Sequence, residues 1–365
     1  MNVTLLVDAL GPRLSGIGRY TWELAARLPQ QPGIDQLNYY IHGHFIDDPS
    51  ALVRGTFPRP RKLFPRALAR RLARRRLGRS LVHGPNFFLP PEVDSGIVTV
   101  HDLSVFRYPE THPAERLHAF EREFAGSLDR AWHLITDTET VKRELVADFS
   151  VPETGISVVP LGVDERYRPH SQSELREALE QWQLTPGGYS LCVSTLEPRK
   201  KIAELLRAWR ELPASVVSSM PLVLAGAEGW LNQELHDEIR GGVVAGWLRH
   251  LGFVPEDDLP ALYAGAALFL YPSTYEGFGL PPIEAMASGV PVLVANRSCL
   301  PEVCGDAARY IDPDDTAGFR DAIIEALADE DWRAASLRRG LSQAAKYRWE
   351  DCASKTAEIY LRFRR

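Results

Sequence analysis

The most informative stretch of this chain is Glu276-Gly-Phe-Gly-Leu-Pro-Pro-Ile-Glu284, followed by Ala-Met-Ala-Ser-Gly289 and the apolar run Val290–Ala295. A predicted strand ends just before it at Tyr271. Two consecutive prolines suit the first turn of a helix, and Gly289 suits the position just after its last residue. The pattern therefore predicts strand, loop, helix and strand, with Glu276 in the loop and Glu284 in the first turns of the helix.

The loop of this run has the chemistry of a phosphate and sugar site. Gly277 and Gly279 allow the backbone to approach a ligand closely, and a helix start offers free N–H groups and a partial charge of roughly +0.5. A carboxylate nearby can accept hydrogen bonds from two vicinal hydroxyls of a ribose or a hexose. The alternative, that Glu284 is only an acid favoured near a helix start, explains one glutamate but not the whole run.

Along the rest of the chain, short apolar runs alternate with segments of helical period, the pattern of buried parallel strands joined by crossover helices. The predicted strands are Val3–Val7, Gly96–Val100, His133–Thr136, Ser157–Pro160, Tyr189–Val193, Leu222–Ala225, Ala267–Tyr271, Val290–Ala295 and Ala308–Ile311. The periodicity lapses between Pro160 and Gly188. We therefore predict an α/β protein with two doubly wound parallel-sheet domains, residues 1–165 and 166–348, that face a central cleft.

Length and composition agree with two globular domains. The chain has 365 residues, 45% of them hydrophobic, and a formal net charge of -6, so no nucleic-acid partner is expected. The start of the chain has neither a basic segment nor a long apolar run, which predicts a cytoplasmic protein. Its four cysteines follow no zinc or redox spacing and are predicted to be buried, reduced thiols.

The segment Arg59–Arg79 departs from this mildly acidic whole because it is dense in arginine. Leu63, Phe64, Ala67, Leu68 and Leu72 recur there at roughly helical spacing. The pattern suits a helix on an anionic membrane surface, with the protein peripheral at the inner face of the cell membrane. A solvated helix face is the alternative.

A second cluster of candidate site residues, Ser194-Thr-Leu-Glu-Pro-Arg-Lys-Lys201, follows a predicted strand. Arg199 and Lys200 at the carboxyl end of a buried strand would offset the charge of a departing diphosphate without a metal ion. Taken alone, three consecutive basic residues are also typical of a solvated turn. Their position after the strand favours the site.

The glycine loop Ser15-Gly-Ile-Gly-Arg-Tyr20 opens the first predicted helix and exposes amides. It has only two glycines of the dinucleotide-binding fingerprint, so it is a weak indication of NAD binding.

A strand of the first half ends in His101-Asp102. The histidine could bind a sugar hydroxyl or assist proton transfer, with Asp102 as an orienting partner, or it could be a satisfied structural residue. Asp312-Pro-Asp-Asp315 resembles a metal site but suits turn chemistry, and we predict no metal there.

Taken together, these motifs resemble the GT4 family of retaining glycosyltransferases, which have the GT-B fold. The family's C-terminal Glu-x7-Glu run matches Glu276 and Glu284. Further matching segments occur in the expected order along nearly the whole chain: Ser15–Tyr20, His101–Leu103, Val159–Asp164, Glu197–Lys200, Leu300–Val303 and Trp349–Asp351. Many relatives place an arginine directly after the strand that ends here at Val193, whereas this chain has Ser194 and Thr195.

The resemblance implies a role for each matching residue. Glu284 would hold the ribose, while Glu276 and the amides of Gly277, Phe278, Gly279 and Leu280 would hold the donor sugar and phosphate. Arg199 and Lys200 would bind the diphosphate, and Arg199 would substitute for the missing arginine. Gly16 and Ile17 would present amides, and His101 would touch the transferred sugar. A last helix, residues 349–365, would pack back on the first domain.

The expected reaction is transfer of a hexose, with mannose from GDP-mannose favoured, to a lipid-linked or oligosaccharide acceptor in surface polysaccharide assembly. Similar enzymes retain the anomeric configuration and need no enzymic nucleophile. UDP-glucose and UDP-GlcNAc are alternative donors. From other classes, an NAD-dependent oxidoreductase or a non-catalytic sugar-nucleotide binding protein stays open.

Overall fold

The computed structural model describes residues 1–57, 66–230 and 232–364 of the chain. They form two compact units. The first unit comprises Met1–Leu103, Glu115–Gly162 and Arg348–Arg365, and the second comprises Ser104–Ala114 and Val163–Tyr347. This division differs from a boundary at residue 165 because Ser104–Ala114 contacts residues of the second unit, including Trp230 and Tyr275.

Each unit is built on its own sheet. The strands in chain order are β1 (Asn2–Leu6), β2 (Gln36–Ile41), β3 (His44–Ile46), β4 (Leu81–Gly84), β5 (Gly96–Val100), β6 (Ala131–Thr136), β7 (Ile156–Val158), β8 (Ser190–Val193), β9 (Leu222–Ala225), β10 (Leu248–Gly252), β11 (Leu268–Tyr271), β12 (Val292–Ala295) and β13 (Ala308–Ile311). The first sheet has the order β3-β2-β1-β4-β5-β6-β7, and the second has β10-β9-β8-β11-β12-β13. Neighbouring strands are parallel except β2 and β3.

Helices connect these strands. In chain order they are α1 (Gly16–Arg27), α2 (Ser50–Val53), α3 (Arg66–Leu77), α4 (Ser104–Arg107), α5 (Ala114–Leu128), α6 (Glu139–Phe149), α7 (Gln172–Glu180), α8 (Ile202–Arg210), α9 (Ala214–Ser219), α10 (Gln233–Val244), α11 (Leu259–Ala264), α12 (Leu280–Ala287), α13 (Leu300–Cys304), α14 (Thr316–Ala328), α15 (Glu330–Ala344) and α16 (Trp349–Arg362). Among the described helices, none is both long and apolar enough to cross a bilayer.

Every predicted strand is present, with ends shifted by at most two residues at each end. The central strands β9, β11 and β12 are buried along their whole length, so both faces need apolar side chains and the sequence is a continuous apolar run. The prediction missed β2, β3, β4 and β10. Their sequences QLNYYI, HFI, LVHG and LRHLG are short or mix polar with apolar residues, so they lack that pattern.

A buried polar chain ties the first unit together. Tyr360 Oη of α16 lies 2.6 Å from His83 Nδ1, and His83 Nε2 lies 2.8 Å from Thr99 Oγ1. Thr99 Oγ1 in turn lies 2.9 Å from Tyr20 Oη of α1. Burial lowers the pKa of His83 to about 3, so this imidazole is neutral at physiological pH. This series of hydrogen bonds links α16 through β4 and β5 to α1.

The described part of the basic segment is helical from Arg66 to Leu77. Helix α3 begins at Arg66, whereas Leu63 and Phe64 lie outside the described residues. Ala73 and Leu77 of this helix are buried, but Leu68 and Leu72 are 44% and 51% exposed. The two exposed leucines are four residues apart and therefore share one face of the helix.

Candidate active site

The candidate site of the second unit lies at the switch point of its sheet, where the direction in which successive strands are added reverses. β8 and β11 are neighbours, but β8 is followed by β9 on one side and β11 by β12 on the other. The loops that leave two such strands diverge and open a crevice at their carboxyl ends, where open α/β sheets bind ligands. The basic cluster follows β8 and the Glu276 loop follows β11, so two motifs 76 residues apart in the chain meet there.

A buried ion pair joins the two loops. Lys200 Nζ lies 2.5 Å from Glu276 Oε1, and Tyr271 Oη donates a hydrogen bond of 2.9 Å to the same oxygen. Lys200 Nζ also lies 3.2 Å from Tyr271 Oη. All three residues are buried. The sequence placed Lys200 and Glu276 in one site, and the structure brings them into direct contact.

Arg199 completes the cluster together with a second carboxylate. Its Nη2 lies 2.8 Å from Glu197 Oε1, its Nη1 lies 3.5 Å from Glu276 Oε2, and Nη1 also donates to the carbonyl of Tyr275. Two carboxylates and two cations are thus packed together in a buried cluster. A buried charge is costly unless it is paired, and the pairing explains how this cluster is tolerated.

Electrostatics keep Glu276 ionised. Burial opposes the charged carboxylate, but Lys200 and Arg199 outweigh burial and lower the pKa of Glu276 to about 2. Tyr271 responds in the opposite direction, since burial and the charge of Glu276 raise its pKa well above 10.0. At physiological pH the site therefore presents a charged carboxylate and a protonated phenol.

The helix after Glu276 begins as the sequence predicts. Gly279 is its N-cap with φ +91°, in the left-handed region that favours glycine, and a Cβ there would lie 2.8 Å from Leu300 Cδ2. Gly289 lies just after its end with φ +78°. Ser298 fixes the loop: Glu276 N donates to Ser298 Oγ at 3.2 Å, and Ser298 Oγ donates to the carbonyl of Glu276 at 2.6 Å.

Phe278 in this loop and Glu284 in the helix that follows are both predicted donor-binding residues. Phe278 is buried and packs edge-on against Tyr347, with ring centroids 5.2 Å apart, so its side chain belongs to the core. Glu284 is half-buried in α12. The pKa of Tyr263 is raised first by burial of its own hydroxyl and next by the negative charge of Glu284. The Glu284 carboxylate therefore lies on the side of α12 that faces Tyr263.

The glycine loop of the first unit ends in a capped helix start. Ser15 is the N-cap of α1, and its hydroxyl accepts a hydrogen bond of 3.4 Å from Gly18 N. Gly16 is exposed and Ile17 is half-buried. The first amides of a helix have no partner within the helix, so this start can receive an anion.

His101 has both ring nitrogens engaged. Nδ1 lies 2.7 Å from Asp137 Oδ2 and Nε2 lies 2.9 Å from the carbonyl of Pro85. A carbonyl only accepts, so Nε2 carries a proton and the Nδ1 proton is shared with Asp137. Burial opposes the charge, but Asp137 outweighs it and raises the pKa of His101. The orienting carboxylate is therefore Asp137, whereas the sequence pointed to Asp102, whose charge also favours the imidazolium.

The remaining polar motifs have structural partners. Asp312 pairs with Arg297 at 2.8 Å, Asp314 pairs with Lys201 at 2.9 Å, and Asp315 caps α14. These are the ion pairs and the cap of a turn, in line with the turn chemistry predicted for them. All four cysteines are buried and unbridged, as predicted.

Sequence reasoning assigned no role to Tyr271, Glu197 or Asp137. Tyr271 and Asp137 stand at or just after the carboxyl ends of β11 and β6, beside strands that carry predicted site residues. A systematic inspection of strand ends could have found both. Glu197 lies in the basic cluster, but only its burial between two cations reveals that it balances their charge.

Comparison with known proteins gives matches over both halves. Residues 14–167 match the family model described as Glycosyltransferase Family 4, and residues 178–348 match the one described as Glycosyl transferases group 1. The chain is 38% identical to the O-antigen chain mannosyltransferase B of Escherichia coli over 99% of each protein.

Solved structures agree on the fold. HepE of Anabaena in complex with UDP and glucose superimposes with a TM-score of 0.77 at 18% identity over 99% of each chain. WaaG, described as a glycosyltransferase involved in lipopolysaccharide biosynthesis, gives 0.72 at 18% identity over 98% of this chain and 99% of that one. At this identity the likeness concerns architecture, which is GT-B.

Proposed function

We propose, since this chain belongs to the family 4 glycosyltransferases, that it transfers mannose from GDP-mannose to a lipid-linked or oligosaccharide acceptor with retention of configuration. A role in polysaccharide assembly follows from the family members that it resembles. The observation that carries the assignment of the site is the buried contact between Lys200 and Glu276 at the switch point of the second sheet.

Lys200 and Arg199, the two cations of the buried cluster, suit the diphosphate of a sugar nucleotide. The two cations are paired with Glu276 and Glu197. Two unit charges 4 Å apart interact by about 4 kcal/mol at an effective dielectric constant of 20, so a diphosphate at this position gains substantially from Lys200 and Arg199. In this proposal the cations take the part that a divalent metal has in other transferases, and the enzyme needs none.

The carboxylates fit the hydroxyls of the donor. Glu276 is ionised at all physiological pH values and accepts hydrogen bonds from the hexose, while Glu284 accepts those of the ribose. The amides of Gly277–Leu280 at the start of α12 meet the phosphate. In the first unit, both ring nitrogens of His101 already have partners, so in this proposal His101 would contact a sugar only through a ring C–H edge.

The proposed reaction needs no enzymic nucleophile. The bond between the anomeric carbon and the phosphate oxygen breaks, and the acceptor hydroxyl attacks the same face. The departing phosphate oxygen takes the hydroxyl proton. Lys200 and Arg199 stabilise the negative charge that develops on that oxygen, which is the kind of electrostatic stabilisation that contributes most in many enzymes.

Support for mannose comes from the name of the Escherichia coli relative, a mannosyltransferase, whereas HepE, at 18% identity, was solved with UDP and glucose. The experiment measures the thermal midpoint in EDTA with excess GDP, UDP or NAD, followed by sugar transfer from the matching donor. A ligand at one hundred times its Kd adds about 2.7 kcal/mol of stability. A shift with GDP alone supports the proposal, and a shift with UDP alone replaces the donor by UDP-glucose or UDP-GlcNAc. A shift with NAD alone overturns it.

Turnover tests the site itself. Glu276→Ala should abolish transfer, whereas the control Glu177→Gln, an exposed carboxylate of α7, should leave it unchanged. Full turnover by Glu276→Ala would remove this residue from the mechanism.

Helix α3 supports a second proposal, that the enzyme binds an anionic membrane surface. Leu68 and Leu72 are exposed, and Arg71 and Arg75 of the same helix are exposed as well. Basic and apolar groups together favour binding in the interface of anionic lipids, and the electrostatic part weakens with salt.

Cosedimentation with anionic and neutral vesicles at low and high salt tests this second proposal. Leu68→Ser/Leu72→Ser should weaken binding, and Leu337→Ser, with its 38% exposed leucine on α15, is the matched control. Equal sedimentation of the double variant and the control would contradict a role for α3.

A further inference from the structure

The segment Ser104–Ala114 follows β5 in the chain but belongs to the second unit, and we call it the strap. It contains α4 and a single 3-10 turn, Pro109–Thr111. His112 Nε2 lies 3.1 Å from Ser104 Oγ, so the two ends of the strap are bonded to each other. The strap is therefore a closed loop with a defined backbone.

Trp230 anchors the strap. Its indole Nε1 donates a hydrogen bond of 2.7 Å to the carbonyl of Thr111, and its ring lies 5.9 Å from that of His112 at an interplanar angle of 30°. Thr111 and His112 are buried. Because the acceptor is a main-chain carbonyl, this hydrogen bond holds the backbone of the strap to Trp230.

The strap touches the candidate site through Tyr108. The rings of Tyr108 and Tyr275 lie 5.3 Å apart at an interplanar angle of 43°, a geometry in which aromatic pairs attract one another. Tyr275 is buried, and its carbonyl accepts hydrogen bonds from Arg199 Nη1 and, at 3.2 Å, from Ser273 Oγ. The next residue is Glu276. The ring of Tyr108 therefore packs on the residue whose carbonyl accepts a hydrogen bond from Arg199 and which directly precedes Glu276.

We propose that the strap positions the Glu276 loop for the donor, and that Tyr108 is the positioning residue, acting through Tyr275. This inference rests on the proposed function, in which Glu276 and Arg199 hold the sugar nucleotide. The contact is made by the ring of Tyr108, so its hydroxyl is dispensable. Loss of the ring frees Tyr275 and weakens donor binding while the acceptor is bound as before.

The test compares Tyr108→Ala, Tyr108→Phe and Trp230→Phe with Phe253→Ala, an exposed aromatic of the same unit. We expect Tyr108→Ala to raise the KM for the donor about tenfold, as suits the loss of one aromatic pair, with the acceptor KM within about twofold of native. Tyr108→Phe should restore native values. Trp230→Phe keeps a ring but not the N–H, and should raise the donor KM to a smaller degree.

Distinct outcomes separate this inference from the proposed function. The role of the strap is overturned if Tyr108→Ala has the native donor KM, or if Tyr108→Phe raises the donor KM as much as Tyr108→Ala does. In either case an inactive Glu276→Ala leaves the proposed function in place. Full turnover by Glu276→Ala overturns the function on which the inference rests. If Tyr108→Ala does not fold, a native donor KM in Trp230→Phe overturns the inference.

Discussion

Replacing Glu276 by glutamine removes one buried negative charge and keeps the size of the side chain. The pKa of Glu276 falls from an ordinary 4.5 to about 2 in the folded protein. One pKa unit corresponds to about 1.4 kcal/mol, so the ionised carboxylate contributes about 3 kcal/mol to the stability of the second unit at pH 7. Glutamine forfeits this contribution and leaves Lys200 and Arg199 with one carboxylate, Glu197.

The pH dependence has a definite sign. A carboxylate whose pKa is lowered on folding stabilises the protein above its unfolded pKa, and that contribution is lost as the pH falls through its folded pKa. The window for Glu276 therefore runs from pH 4.5 down to about 2. The stability difference between the native protein and Glu276→Gln should shrink from about 3 kcal/mol at pH 7 to about 1 kcal/mol at pH 3.

The assay is the thermal midpoint of each variant relative to the native protein at the same pH. For a domain of this size, 1 kcal/mol shifts the midpoint by about 2–4 °C, so we expect a loss of roughly 6–12 °C at pH 7 and less than half of that at pH 3. Glu177→Gln should shift neither. A loss at pH 7 that is no larger than that of this control, or one that does not change with pH, would refute the electrostatic reasoning.

Three further predictions concern single buried polar groups. Tyr271→Phe removes the hydroxyl that orients the carboxylate of Glu276, and a hydrogen bond to a charged group contributes about 1.5–3 kcal/mol. Calorimetry should therefore find the affinity for the donor reduced at least tenfold, and an unchanged affinity would argue against this role. Asp137→Asn removes the charge that, against burial, raises the pKa of His101, so the imidazolium should lose its proton at lower pH in NMR titration; an unchanged titration would contradict the pairing. The stability that this pairing supplies is present below pH 6.5 and is lost as the pH rises through the raised pKa of His101. Tyr360→Phe removes the partner of Nδ1 of the buried His83 and should cost about 1–3 kcal/mol in urea unfolding. This is more than we expect for Tyr39→Phe, because Tyr39 is only half-buried and its hydroxyl bonds a backbone carbonyl.

Local features of the chain were readable from the sequence because local interactions determine them. The loop at Glu276, the proline-containing start of α12 and the glycine after its end follow from backbone preferences of single residues. The central strands follow from continuous burial. The polar residues that follow strand ends then suggested which side chains belong to a candidate site, and the family matches agree with the predicted family.

Which side chains contact each other depends on the packing of strands that lie far apart in the chain. The order β10-β9-β8-β11-β12-β13 brings Lys200 and Glu276 together across 76 residues, and no local preference encodes that order. The same holds for Asp137 as the partner of His101, for Glu197 between two cations, and for the strap in the second unit. Local preference specifies residue types and turns, whereas partners are chosen by the packing of strands distant in the chain, because burial makes an unpaired charge costly and leaves only paired arrangements stable.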